Sequence, residues 1–134
     1  MKDMENKIHE SMNRQCRKRG YAAPVDVLMD IGYLKRIRYD DWRAGRIPFL
    51  EAVCETNLHK LAEILRIMRV YAARWNWSPS ITSYKHKGHP LRFSKYRNPN
   101  VEKAYSTHYV AKKSNKERAK TVAAETVYML EYCG

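Results

Sequence analysis

The sequence predicts a mainly α-helical, compact domain built around one long central helix, with a small β-hairpin after it. Apolar residues recur in steps of three and four between residues 48 and 75, which is the spacing of one helix face. Glycines and prolines punctuate the chain before that stretch, and two short alternating runs flank Lys87-Gly88 after it. A length of 134 residues favours a single domain covering residues 1–134.

The central helix is predicted over residues 48–75, with Pro48 in its first turn, where proline is tolerated. Its apolar band is too wide for a surface helix or a coiled-coil seam, so the other elements are expected to pack around it. The band is formed by Leu50, Cys54, Leu58, Leu61, Leu65, Met68, Ala72 and Trp75. We expect Leu61 and Leu65 to be buried at its middle.

Residues 1–47 are predicted to form shorter helices, each ended by a glycine: Asp3–Arg19 before Gly20, a helix from Pro24 before Gly32, and Arg38–Ala44 before Gly45. In outline, the last two resemble a helix-turn-helix. Simple helix packing produces the same pattern, and Asp40 and Asp41 would face DNA phosphates of like charge. If this element reads DNA, the side chains that carry the contact are Arg38, Arg43 and Arg46.

Residues 76–98 are predicted to form the β-hairpin, with strands Ser80–Lys85 and Leu91–Lys95 joined by the Lys87-Gly88 turn. Residues 99–134 are predicted to be C-terminal helices. The first starts at Pro99 and continues to about His108, and the last runs from Ser114 to about Tyr132.

The charge is strongly positive and unevenly distributed. The chain carries 26 Lys and Arg against 14 Asp and Glu, a net charge of +12, which favours polyanionic partners. Residues 76–120 hold 11 basic and 2 acidic side chains, a net of +9, interleaved with aromatic residues that can stack on unpaired bases. Half of those aromatics are expected in the core. The candidate contacts in and after this stretch are Lys85, Lys87, Arg92, Lys95, Arg97, Lys112 and Lys113.

Other classes of site are not indicated. No run of 18 apolar residues exists, so no membrane partner is expected. His86 and His89 flank a predicted turn without a third ligand nearby, so no metal is expected. No nucleophile–base set or glycine-rich phosphate loop is present, and we predict neither a cofactor nor catalysis. Three widely spaced cysteines suit a reducing, cytoplasmic compartment.

Several segments resemble a pattern found in small uncharacterised bacterial and phage proteins. They are Pro24–Leu28, Ile31-Gly32, Tyr39 with Trp42-Arg43, Gly45–Pro48, Leu91–Lys95 and Tyr105–Tyr109. The resemblance spans roughly residues 20–110. It implies a bacterial or phage-like cytosolic origin and carries over no site residue.

The predicted function is non-catalytic nucleic-acid binding, with DNA favoured over RNA, through the basic surface after the central helix. One alternative is a small protein–protein adaptor or inhibitor that acts on a nucleic-acid enzyme. A second alternative is a small nuclease or toxin. The salt dependence of oligonucleotide binding distinguishes nucleic-acid binding from the two alternatives, because contacts with phosphates weaken steeply as the salt concentration rises.

Overall fold

In a computed structural model that describes residues 2–111, the chain is mainly α-helical with short antiparallel strands, as predicted. In chain order the elements are α1 (Lys2–Arg19), β1 (Tyr21–Ala22), α2 (Pro24–Asp30), α3 (Arg36–Arg43), a 3-10 helix (Leu50–Val53), α4 (Leu58–Arg74), β2 (Ser78–Ile81), β3 (Lys85–His86), β4 (His89–Pro90), α5 (Pro99–Ser106) and β5 (Thr107–Val110). The predicted last helix and the basic pair Lys112 and Lys113 lie outside the described residues.

The two long helices, α1 and α4, pack against each other. The four-residue spacing of Ile8, Met12 and Cys16 places all three on the buried stripe of α1. A polar contact joins the same pair of helices, since the Asn13 amide donates to the Tyr71 hydroxyl at 2.8 Å. α1 also contacts β1 and α2, so it joins α4 to the elements that follow it in the chain.

The predicted start of the central helix at Pro48 is wrong. The helix begins at Leu58, where the Asn57 side chain accepts a hydrogen bond from the Lys60 amide at 2.7 Å and caps the first turn. The amides of Leu50 and Glu51 instead donate to the carbonyls of Arg92 and Phe93. Because these two amides are committed to a distant segment, residues 50–53 form only a short 3-10 turn.

The burial expected at the middle of the central helix is half right. Leu61 is buried, whereas Leu65 is only half-buried and Ile64 occupies the core instead. The apolar pattern in the sequence begins earlier, at Leu50, because the Leu50 side chain is buried in the same core although it lies outside α4.

The predicted glycine stops are confirmed. Gly32 follows α2 with φ +92°, and Gly45 follows α3 with φ +76°. In each case the next amide bonds back over five residues, Tyr33 to Leu28 and Arg46 to Asp41, which is the Schellman arrangement. The boundaries of α3 differ slightly from the predicted Arg38–Ala44, since it covers Arg36–Arg43.

The predicted hairpin strands are wrong in their pairing. Ser78–Ile81 pairs with Thr107–Val110 rather than with Leu91–Lys95, and β1 pairs with the other edge of β5. The resulting antiparallel sheet has the order β1-β5-β2. Because Thr107–Val110 is β-branched and aromatic and has a partner on each side, α5 ends at Ser106 instead of continuing to His108. The hairpin itself is reduced to β3 and β4.

One hydrophobic cluster receives buried side chains from every helix of the described chain. Trp42 of α3 lies fully inside it, and its indole NH donates to the Arg92 carbonyl at 2.7 Å. This bond ties α3 to the segment after the hairpin. Within residues 2–111, no helix combines the length and apolarity that crossing a membrane requires.

Candidate nucleic-acid interface

The basic hairpin, which we define as β3, the Lys87-Gly88 turn and β4, is the first cationic element of the site. Lys85 pairs with Pro90 and His86 with His89 across a two-residue turn. Both turn residues have positive φ, +51° at Lys87 and +81° at Gly88, as a type I′ turn requires. The turn holds Lys87 at the tip, and Lys85 and Lys87 are exposed.

The hairpin is anchored from below by aromatic packing. The Tyr84 ring lies 5.5 Å from the rings of both Trp42 and Phe93, and the Tyr84 carbonyl accepts from the Leu91 amide at 2.7 Å. His86 packs against the backbone after α3 so closely that a Cβ on Gly45 would lie 2.9 Å from its Cδ2. The hairpin is thus fixed to the C-terminal end of α3.

The arginines of the predicted reading helix are less available. Arg38 and Arg46 both pair with Asp41, at 3.7 and 3.1 Å. The Arg43 guanidinium carbon lies 5.2 Å from the centre of the Tyr84 ring, in cation–π geometry. These contacts offset the positive charge at α3 and direct Arg43 toward the base of the hairpin.

Arg92 has a structural role that the sequence does not reveal. Its side chain is half-buried, and Nη2 donates to the carbonyls of Ser94 and Lys95, at 3.3 and 2.6 Å. Its guanidinium carbon lies 5.9 Å from the Phe49 ring. Arg92 therefore shapes the chain that follows it and is a poor candidate for a phosphate contact.

The second cationic element is the loop of residues 94–98, which we call the Tyr96 loop. Lys95, Tyr96 and Arg97 are all exposed. Glu102 of α5 fixes the start of the loop, because its carboxylate accepts from the amides of Phe93 and Ser94 at 3.0 and 2.7 Å. The loop ends at the side chain of Asn98, which caps α5 by accepting from the Asn100 amide at 2.9 Å.

The charge balance distinguishes this surface from the rest of the described chain. Residues 76–111 contain six Lys or Arg and a single acid, Glu102, whose carboxylate is turned toward the loop backbone. Elsewhere several arginines form ion pairs with neighbouring carboxylates, as at Arg36–Asp40. Among the described residues no carboxylate pairs with the four exposed cations of the two elements, Lys85, Lys87, Lys95 and Arg97.

A second basic region was not among the candidate sites predicted from the sequence. A cleft of about 560 Å³ between α1, α2 and the start of α3 is lined by Arg14, Gln15, Lys18, Arg19, Asp26, Met29, Asp30 and Arg36. Most of its cations are paired: Arg19 lies 2.7 Å from Asp26, and Arg14 lies 3.7 Å from Asp30. This internal compensation leaves the cleft with less free positive charge than the hairpin and the Tyr96 loop.

A stack of side chains connects that cleft to the hairpin. The Arg19 guanidinium lies 4.1 Å from the centre of the Tyr21 ring, which stacks on His108 at 5.0 Å. His108 Nε2 is hydrogen-bonded to the Tyr84 hydroxyl at 2.8 Å. Burial lowers the pKa of His108 and raises that of Tyr84, so both groups are neutral near pH 7. Tyr84 and His108 are 24 positions apart in the sequence, and no sequence pattern indicated this contact.

More of the aromatic residues between residues 76 and 111 lie in the core than the predicted half. Trp77, Phe93, Tyr105 and Tyr109 are buried, and Tyr84 is half-buried. Of the six Trp, Tyr and Phe side chains in residues 76–111, only that of Tyr96 is exposed. Within residues 2–111, no group of three or more His, Cys, Asp or Glu side chains is arranged to hold a metal ion.

Comparisons of the chain with protein-family models, with curated proteins and with solved structures found no match.

Proposed function

We propose that this protein binds nucleic acid, with DNA as the expected target, and catalyses no reaction on it. The observation that carries the proposal is a group of exposed cations, Lys85, Lys87, Lys95 and Arg97, that pair with no carboxylate among residues 2–111. Unpaired positive charge on a surface attracts polyanions, and each phosphate that it neutralises releases condensed counterions.

The dimensions of this surface suit a nucleic-acid strand. Lys87 and Lys95 are eight residues apart in the sequence, so even a fully extended chain separates them by no more than about 28 Å. At a rise of about 3.4 Å per nucleotide, that is roughly eight base pairs of duplex. One oligonucleotide of about 20 nucleotides can therefore reach both elements.

The competing location is α3, the second helix of the predicted helix-turn-helix pair. Two of its three proposed contacts, Arg38 and Arg46, would have to leave Asp41 to meet a phosphate or a base. The carboxylate left behind would then face the DNA backbone. We therefore place the main contact on the hairpin and the Tyr96 loop.

The test is the salt dependence of binding in a triple variant, Lys85→Ala, Lys87→Ala and Lys95→Ala. Each phosphate contact contributes roughly 0.9 to the slope of log affinity against log salt on duplex DNA, so the slope should flatten by about 2 to 3 units. Affinity should fall by a similar factor on every sequence. Arg92 is left intact, because its hydrogen bonds hold the Tyr96 loop.

A matched control removes the same charge from α3 and its C-terminal end, by Arg36→Ala, Arg38→Ala and Arg46→Ala. This variant should keep most of the salt slope. If the control variant lost more affinity than the hairpin variant, especially by a factor that depends on base sequence, the binding site would lie on α3 instead. Absence of salt-dependent binding in the unmodified protein would refute the proposal.

A further inference from the structure

Tyr96 is the most exposed of the large hydrophobic side chains in the described chain, with 78 % of its surface accessible. An aromatic ring buries 150–250 Å² when it packs, so leaving it in water forgoes a large stabilising contribution. A single exposed apolar residue on a protein surface is ordinary. The surroundings of Tyr96, rather than its exposure alone, give it significance.

Two cations flank Tyr96 in the sequence. Lys95 Nζ lies 5.4 Å from the ring centre, and Arg97 follows directly with an exposed side chain. Neither cation has a carboxylate partner in the part of the chain that the structure describes. An exposed aromatic ring together with neighbouring cations is the combination with which proteins hold single strands, since the ring stacks on a base while the cations meet the phosphates.

The Tyr96 loop, which presents the ring, is held in place by hydrogen bonds to the rest of the protein. Arg92 donates to two of its carbonyls, Glu102 accepts from the amides that lead into it, and Asn98 turns it directly into α5. A loop ordered before binding loses less conformational entropy when a ligand arrives. The ring is therefore displayed on a preorganised backbone, which favours a contact site over an incidental surface residue.

We propose that Tyr96 is a stacking platform for an unpaired base, and that the ligand of this surface is single-stranded nucleic acid. The inference rests on the proposed function. In a duplex every base face is already covered by its neighbours, so Tyr96 could not stack without separating two base pairs. A duplex would then be held by the cations alone, whereas a single strand gains the additional contact.

Tyrosine and arginine are also common anchors of protein–protein interfaces. The charge favours nucleic acid here, because six basic side chains stand against one inward-facing carboxylate between residues 76 and 111. A protein partner is retained as an outcome of the test.

The test compares Tyr96→Ala and Tyr96→Phe with the unmodified protein. Affinities for a labelled single strand of about 20 nucleotides and for the matching duplex are measured by fluorescence anisotropy over a salt series. Loss of one stacked base should weaken single-strand binding by about 5- to 140-fold in Tyr96→Ala. Tyr96→Phe keeps the ring and should bind like the unmodified protein, and duplex affinity should change less than about twofold in both.

The salt slope adds an independent readout. Tyr96→Ala removes no charge, so its slope should stay unchanged while its single-strand affinity falls, whereas the lysine variant should lose both slope and affinity. Ile37→Ala is the matched control, because Ile37 is 67 % exposed on α3, and this substitution should alter neither affinity.

The outcomes separate the two proposals. If the protein binds both ligands with a steep salt slope but Tyr96→Ala weakens neither, the stacking inference is overturned and the proposed function stands. Equal losses on single strand and duplex would overturn it as well. If the unmodified protein binds neither oligonucleotide, both proposals fail, and a protein partner becomes the better explanation of the surface.

Discussion

Replacing Gly45 with alanine should destabilise the protein by two separable effects, and Gly32 offers a matched control. Both glycines follow a helix in a Schellman arrangement with positive φ, +76° and +92°. An L-residue in that region costs roughly 1–2 kcal/mol, so Gly32→Ala should lose about that much stability. At Gly45 the new Cβ would also lie 2.9 Å from Cδ2 of His86, whereas nothing lies within 4 Å at Gly32.

The contact with His86 should appear as a coupling energy. In chemical denaturation, Gly45→Ala should cost more than Gly32→Ala, and the excess should disappear when His86 is also alanine. A coupling of about 0.5–1 kcal/mol is expected, because the imidazole can shift but only by moving the hairpin. For a chain of this size, 1 kcal/mol corresponds to roughly 4 °C in melting temperature. Equal costs at the two glycines, with no coupling to His86, would show that the hairpin does not pack against the end of α3.

Two further predictions concern stability. Asn57→Ala should lower the stability by roughly 1 kcal/mol in thermal denaturation, because it removes the side-chain cap of α4. If the helix instead ran unbroken through residue 57, the substitution would raise the stability, because alanine is a better helix former than asparagine. Burial lowers the pKa of His9 and His108 below the ordinary 6.5, so under acidic conditions the unfolded chain binds protons that the folded chain does not. Stability should therefore fall as the pH drops from about 7 to 5, and the variant His9→Gln with His108→Gln should show a shallower fall in melting temperature. A fall as steep in the variant as in the unmodified protein would assign the pH dependence to other groups.

The sequence was most informative where the physics is local. Gly32 and Gly45 end their helices as predicted, because a positive φ at that position depends on the missing Cβ of glycine and on bonds within one turn. The position of the hairpin turn was also predictable, since Gly88 tolerates the positive φ that a two-residue hairpin turn requires, although Lys87 adopts a positive φ of +51° as well.

The clustering of positive charge after the central helix was also visible in the sequence, but the availability of each cation was not. Arg92 and Lys95 look alike as basic residues of one segment. In the structure the Arg92 side chain donates hydrogen bonds to carbonyls of the Tyr96 loop, while Lys95 is exposed beside Tyr96. Local pattern cannot distinguish them, because the difference lies in which groups the folded backbone places within hydrogen-bonding distance.

Tertiary structure decided the elements whose backbone partners are distant in the chain. The apolar spacing at Leu50 suited a helix, yet its amide bonds to Arg92, and α4 starts only at Leu58. Ser80–Lys85 was predicted to pair with Leu91–Lys95, yet Ser80 and Ile81 belong to a strand that pairs with Thr107–Val110. Periodicity reports that a side chain is buried, not which backbone satisfies its amide. That choice depends on the complete set of packed segments, because every buried amide must find a partner somewhere among them.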